Sequence, residues 1–142
     1  LFDETLIRNQ DYELNIRLRQ AGGTVWFDPA LEVAYRPRPS WRALARQYVE
    51  YGAWKRHVLR MHPGSLKVRQ VVPPITLLAI VASIVASAWL PITLVIPGLY
   101  VVAVVVAALA TSWRDVIRLT AIFPTVHMSW AWGFLFGRRA RS

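Results

Sequence analysis

In the stretch "RNQDYELNIRLRQAGG", residues 8 to 23, a single carboxylate, Asp11, stands just ahead of a helical pattern. An Asp at a helix start accepts backbone N–H bonds and favours the positive end of the dipole, worth about 1 kcal/mol. The same carboxylate could also serve as the base of an enzyme, and local pattern favours the cap. Other groupings lead nowhere. His57 and His62 are five residues apart on a helix, roughly 140° out of register, and no acid completes a metal site. His127 lies alone in an apolar segment and reads as a hydrogen-bonded packing residue. Asp115 lies between Arg114 and Arg118 and is expected to pair with them. Neither a Ser-His-Asp set nor a glycine-rich phosphate loop can be assembled.

Around Asp11, Leu14, Leu18 and Ala21 recur at i, i+4 and i+7, Glu13 can reach Arg17 one turn on, and Gly22-Gly23 supplies a left-handed stop. Residues 11 to 21 are thus predicted as a helix. "TVWF" and "LEVAY", residues 24–27 and 31–35, read as two strands joined by the Asp28-Pro29 turn. "RPRPS" breaks the chain, and Ser40 is placed to cap the next helix.

That helix, Trp41 to Met61, has two faces. Leu44, Gln47, Tyr51, Trp54 and Val58 share one side, and Arg42, Arg46, Arg56 and Arg60 fall within roughly 80° elsewhere. Aromatic groups at headgroup depth with arginines meeting phosphates suit a membrane surface.

Composition shifts near residue 70: residues 1 to 70 hold 12 Lys+Arg and 7 Asp+Glu, residues 71 to 142 only 5 and 1. From Val71 to Trp113 there is no charge, about twice the roughly 20 residues one crossing needs. Two spans are predicted, Val71–Leu90 with Pro73-Pro74 in its first turn, and Ile92–Thr111 with Pro97-Gly98 inside it. Arg56, Arg60, Lys67 and Arg69 precede them and Arg114 and Arg118 follow, so both flanks are expected on the cytoplasmic side. A third uncharged stretch, Leu119–Gly137, spans by its length and is re-entrant or interfacial by the charge of "GRRARS" after it. The net charge of +9 beside apolar spans points to lipid headgroups and not to nucleic acid. With no cysteine, disulfides and thiolate metal sites are excluded. The start "LFDETLIRNQD" reads as the middle of a longer protein.

In their order, these pieces resemble the carboxy-terminal part of the catalytic domain of glycosyltransferase family 2, in its membrane-bound exopolysaccharide, succinoglycan-type branch. The family's "GGFDE" element survives as Phe2-Asp3-Glu4, and its "ED-x-EL-x-x-RLR-x-x-G" element as Gln10-Asp11-Tyr12-Glu13-Leu14 through Arg17-Leu18-Arg19. "HMSWAWGFLFG" continues the likeness more loosely.

The resemblance implies an α/β fragment, the C-terminal part of a GT-A type domain (1–39). An amphipathic interfacial helix with its linker (40–70) and an all-α membrane region of two or three helices (71–142) follow it. It implies inverting transfer from a nucleotide-sugar to a lipid-linked or polysaccharide acceptor, with Asp11 as general base. The family's Glu before that base is Gln10 here, which removes a negative neighbour and leaves the base in place. The family's "Q-x-x-R-W" signature corresponds only loosely to "RQYVEYGAWK". Gln47, Tyr51, Trp54, Arg46 and Lys55 are the acceptor- or diphosphate-facing candidates, with packing as the alternative for Trp54. A divalent metal, Mg or Mn, is expected for the full-length parent at a "D-x-D" element that this chain lacks. The fragment alone is therefore expected to be inactive, and the parent to lie in the inner (plasma) membrane as a multi-pass protein with its catalytic part cytoplasmic. A polyprenyl-phosphate glycosyltransferase and a non-catalytic membrane scaffold are the rival readings.

Overall fold

The computed structural model describes residues 2–34 and 40–137. Five helices carry the chain: α1 (Gln10–Gln20), α2 (Trp41–Met61), α3 (Val68–Ala86), α4 (Val95–Thr111) and α5 (Val116–Phe136), with 3-10 turns at Pro63–Ser65 and Pro91–Leu94. Among the described residues there is no strand, which overturns the α/β expectation. The segments predicted as strands, 24–27 and 31–34, take no regular structure, and Trp26, Phe27 and Val33 are more than four-fifths exposed. Alternation makes a segment fit a sheet, but only a neighbouring strand can pair its backbone, and none of the described residues forms one. Tyr35, the connector at 36–39 and the arginines at 138, 139 and 141 lie outside the described residues.

Helix α1 begins one residue before the expected start, so Asp11 is its second residue and not its cap. The cap position belongs to Asn9, which is left-handed at φ 62° and makes no side-chain cap bond. Asn tolerates that region better than most non-glycine residues. At the other end Gly22 takes φ 81°, and the Gly23 N–H reaches the Leu18 carbonyl at 2.8 Å, a helix-closing geometry that glycine permits without strain. The predicted bounds of α2 hold, and Ser40 Oγ accepts from the Ala43 N–H at 3.3 Å.

Helix α3 starts at Val68, earlier than expected, so Pro73 and Pro74 fall beyond its first turn. The Val68–Ala86 and Pro91–Thr111 segments are long and apolar enough to cross a membrane. Their hairpin is tied by polar groups: Ser83 Oγ donates to the Thr93 carbonyl, and Thr93 Oγ1 returns a bond to the Ser83 carbonyl at 2.8 Å. Pro97-Gly98 lies in the opening turn of α4.

The third apolar stretch forms one unbroken helix, α5, and it packs chiefly against α2. Gly52 and Gly133 make this contact, since a Cβ on Gly52 would stand 2.6 Å from Phe134 N and one on Gly133 2.7 Å from the Val49 carbonyl carbon. Further along, a Cβ on Gly137 would come within 2.8 Å of Ala53 Cβ, and the Arg56 guanidinium donates to the carbonyls of Leu135, at 2.7 Å, and Gly137. Successive contacts advance along both helices together, so α2 and α5 run in the same direction. Arg56 therefore caps α5 and does not stand on a free basic face, as its sequence position suggested. Gly133→Ala is expected to lower thermal stability in detergent by about 1–3 kcal/mol through overpacking. Gly64→Ala, at a position with open space around it, serves as the control, and equal melting temperatures would contradict this packing.

Candidate functional site

Helix α1 docks on α2 through a small core of Leu6, Trp54 and Val58, with Tyr12 and Ile16 against it. Two ions are buried at this join. Glu13 is 1% exposed and accepts from Arg17, Nε at 2.7 Å and Nη2 at 3.0 Å, and from the His62 ring at 3.1 Å. The Arg17 hydrogen bonds, helped by His62, hold the Glu13 carboxyl below its ordinary range against the opposing effect of burial. The Glu13–Arg17 pair is the one its spacing predicted, whereas the His62 contact joins residues 49 apart.

Lys55 is 3% exposed and has no carboxylate partner among the described residues. Its ammonium donates to Tyr12 Oη at 2.9 Å, to the Ser65 carbonyl at 3.0 Å and to Ser65 Oγ at 3.3 Å, and lies 4.1 Å from the Tyr12 ring centroid. Tyr12 Oη donates in turn to the Ser65 carbonyl at 2.8 Å. Three neutral acceptors and a ring face satisfy the cation but leave its charge uncancelled.

That charge lines a cavity of about 670 Å³. Asp11, Asn9 and Gln10 enter it from the start of α1, Tyr48, Tyr51 and Lys55 from α2, Gln70 from α3 and Trp130 from α5. Asp11 is exposed there, and its carboxylate has no partner among the described residues. Tyr51 is held by the Gln47 side-chain amide, which donates to its hydroxyl at 2.7 Å, by the edge of Tyr48 and by Arg8 above its ring. Arg8 is fixed by Glu50 at 2.5 Å.

The sequence-derived candidates thus divide. Asp11, Tyr51 and Lys55 meet in one cavity, and buried Gln47 acts on it through Tyr51. Arg46 lines a smaller cleft of about 250 Å³ with Arg8, Gln47 and Glu50. Trp54 is in the core. The residues not anticipated are Tyr12, Tyr48, Gln70 and Trp130. Trp130 lay in the quoted "HMSWAWGFLFG", and nothing in that segment told which neighbour it would face.

Elsewhere, Asp115 pairs with Arg118 at 3.6 Å, Arg114 lies by Trp113, and His127 stands 3.5 Å from Tyr100 Oη, a packing contact. Among the described residues no three of His, Asp and Glu gather where they could hold a metal. A divalent ion therefore has no fitted ligand set among them.

No family model matches the chain, and no solved structure matches it. Over 72 residues, 51% of its length, the chain is 32% identical to the succinoglycan biosynthesis protein ExoA of Rhizobium meliloti (strain 1021), and it covers 22% of that protein. This weak match supports a glycosyltransferase relationship and nothing finer.

The depressed Glu13 pKa fixes a sign. The folded state holds its proton less tightly than the unfolded state, so the stabilisation is complete above the unfolded value near 4.5 and is lost as pH falls through the folded value. Glu13→Gln is expected to cost about 1–2 kcal/mol at pH 7 and to flatten the acid limb of the pH–stability curve, read by thermal melting. An unchanged acid limb would assign it to other carboxylates.

Proposed function

We propose that the chain is the acceptor-side, membrane-attached part of an inverting glycosyltransferase. The whole protein moves a sugar from a nucleotide-sugar to a lipid-linked or polysaccharide acceptor at the cytoplasmic face of the plasma membrane. The observation that carries this reading is the Asp11 carboxylate, without a partner among the described residues, in the cavity where α1 and α2 meet the first turn of α3 and the aromatic end of α5. The quoted motifs and the match to a succinoglycan biosynthesis protein support it.

In the proposed reaction Asp11 takes the acceptor hydroxyl proton as the oxygen bonds to the anomeric carbon. The bond from that carbon to the nucleotide diphosphate breaks, and its electron pair leaves with the diphosphate. A hydroxyl becomes acidic only as it attacks, so a carboxylate placed beside it can take the proton late. Tyr48, Tyr51 and Trp130 offer faces for sugar rings, and Lys55 places positive potential beside the anionic products. The nucleotide-binding half is assigned to other parts of the parent.

Asp11→Asn in the full-length parent is expected to lower transfer by about 10²–10⁴-fold while membrane insertion is kept. Retained turnover overturns the base assignment.

The α2–α5 contact supports a two-span topology in which α5 lies at the membrane face. Helix α2 carries Glu50, Lys55 and Arg56 along the stretch from Val49 to Arg56 that meets α5. Sinking α5 to mid-bilayer would take these charges with it, at about 2.5–3.5 kcal/mol each. The cysteine-free sequence allows single-cysteine labelling with an impermeant reagent. Phe136→Cys is expected to react from the same side as Glu32→Cys and opposite to Trp89→Cys, all at exposed positions. Reaction from the Trp89 side establishes a third crossing instead.

A further inference from the structure

Tyr12, which lines the cavity of Asp11, also lines a second cleft of about 560 Å³ together with Ser65. Three cations enter it, Arg19 from the last turn of α1 and Lys67 and Arg69 from the entry to α3. No carboxylate lines it, and none of the three is in an ion pair among the described residues. Neutral groups, the Asn15 and Gln20 amides and the Ser65 hydroxyl, line it too, with Gly64, Tyr12 and the apolar Ile16. A groove with three uncancelled cations and neutral donors selects an oxyanion.

The surroundings narrow the ligand. Next to Lys67 and Arg69 along the chain, Val68, Val72 and Ile75 are each more than half exposed and follow one another at i, i+4 and i+7 on the first turns of α3. Spacing of that kind forms one apolar stripe, wide enough for a hydrocarbon chain, leading away from the cations. An oxyanion head with an apolar tail is a lipid.

We propose that this cleft binds the phosphate of an anionic phospholipid of the host bilayer, with its acyl chain along the Val68–Val72–Ile75 stripe. The site is separate from the Asp11 cavity and fixes the depth at which α3 enters the membrane. It thereby holds Tyr12 and Ser65, shared by both clefts or adjoining both, at the headgroup plane. The proposal rests on the two-span membrane reading, which the cysteine labelling tests independently.

The test is native mass spectrometry of the full chain in detergent, titrated with phosphatidylglycerol, phosphatidylcholine of the same acyl chains, and inorganic phosphate. Phosphatidylglycerol is expected to bind more tightly than phosphatidylcholine. The preference should fall about fivefold for each charge removed in Arg19→Gln, Lys67→Gln and Arg69→Gln, singly and combined. Arg118→Gln, which removes a cation paired with Asp115 away from the cleft, should leave it unchanged. Helicity by circular dichroism confirms folding, and the single variants decide the matter if the triple variant does not fold. Equal retention of the two lipids, or wild-type affinity in all variants, overturns the site. Inorganic phosphate that displaces the lipid at equal concentration overturns the lipid assignment in favour of a soluble oxyanion.

Discussion

The structure depends on the approach of α2 to α5 at Gly52 and Gly133. Without a Cβ on either glycine the two backbones touch, and the Arg56 guanidinium then reaches the terminal carbonyls of α5. This single contact joins the basic part of the chain to its apolar part. Through it Trp130 of α5 faces the residues of α1 and α2, and the cavity acquires a wall that neither of those helices could supply. It also ties the depth of an apolar helix to that of a charged one, because the hydration of arginine and lysine outweighs the gain from immersing a few more aromatic groups.

The second constraint is the burial of opposite charges close to one another without pairing them. Glu13 is answered by Arg17 and His62 and is thereby a structural ion. Lys55 is answered by a phenol, a carbonyl and a hydroxyl, so its field persists into the cavity. Both residues hang on the docking of α1 over Trp54 and Val58, and that docking holds Asp11 in the cavity lining with a carboxylate that no described residue engages. A helix-start Asp that bonded its own backbone would have fewer free lone pairs; the left-handed Asn9 shifts the start by one residue and leaves Asp11 outside the cap.

Much of this was legible in the residues because it is governed by nearest neighbours along the chain. The bounds of α2, the Ser40 cap, the Glu13–Arg17 pair and the presence of two helices long and apolar enough to cross a membrane follow from periodicity, capping chemistry and the length of apolar runs. The strands did not follow. Residues 24–27 and 31–34 have the alternation of a sheet, yet the ladder bonds that make a strand belong to a second segment, and Trp26 and Phe27 instead remain exposed. Likewise Trp54 shared a helix face with Gln47 and Tyr51, but a helix face is wider than a cavity, and α1 covers one part of it while leaving another open.

By itself the sequence determined where helices form and which segments are too apolar for water, since those depend on side chains within a turn of one another and on summed transfer free energy. It also identified Asp11 as the carboxylate to examine. Only the tertiary structure decided that Lys55 is buried, that Arg56 is an α5 cap, that Trp130 and Gln70 line the Asp11 cavity, and that Arg19 shares a cleft with Lys67 and Arg69. Each of these joins residues dozens of positions apart. Such contacts are chosen by the packing of whole helices, which is set by shapes such as the paired glycines and not by any local preference of the residues concerned.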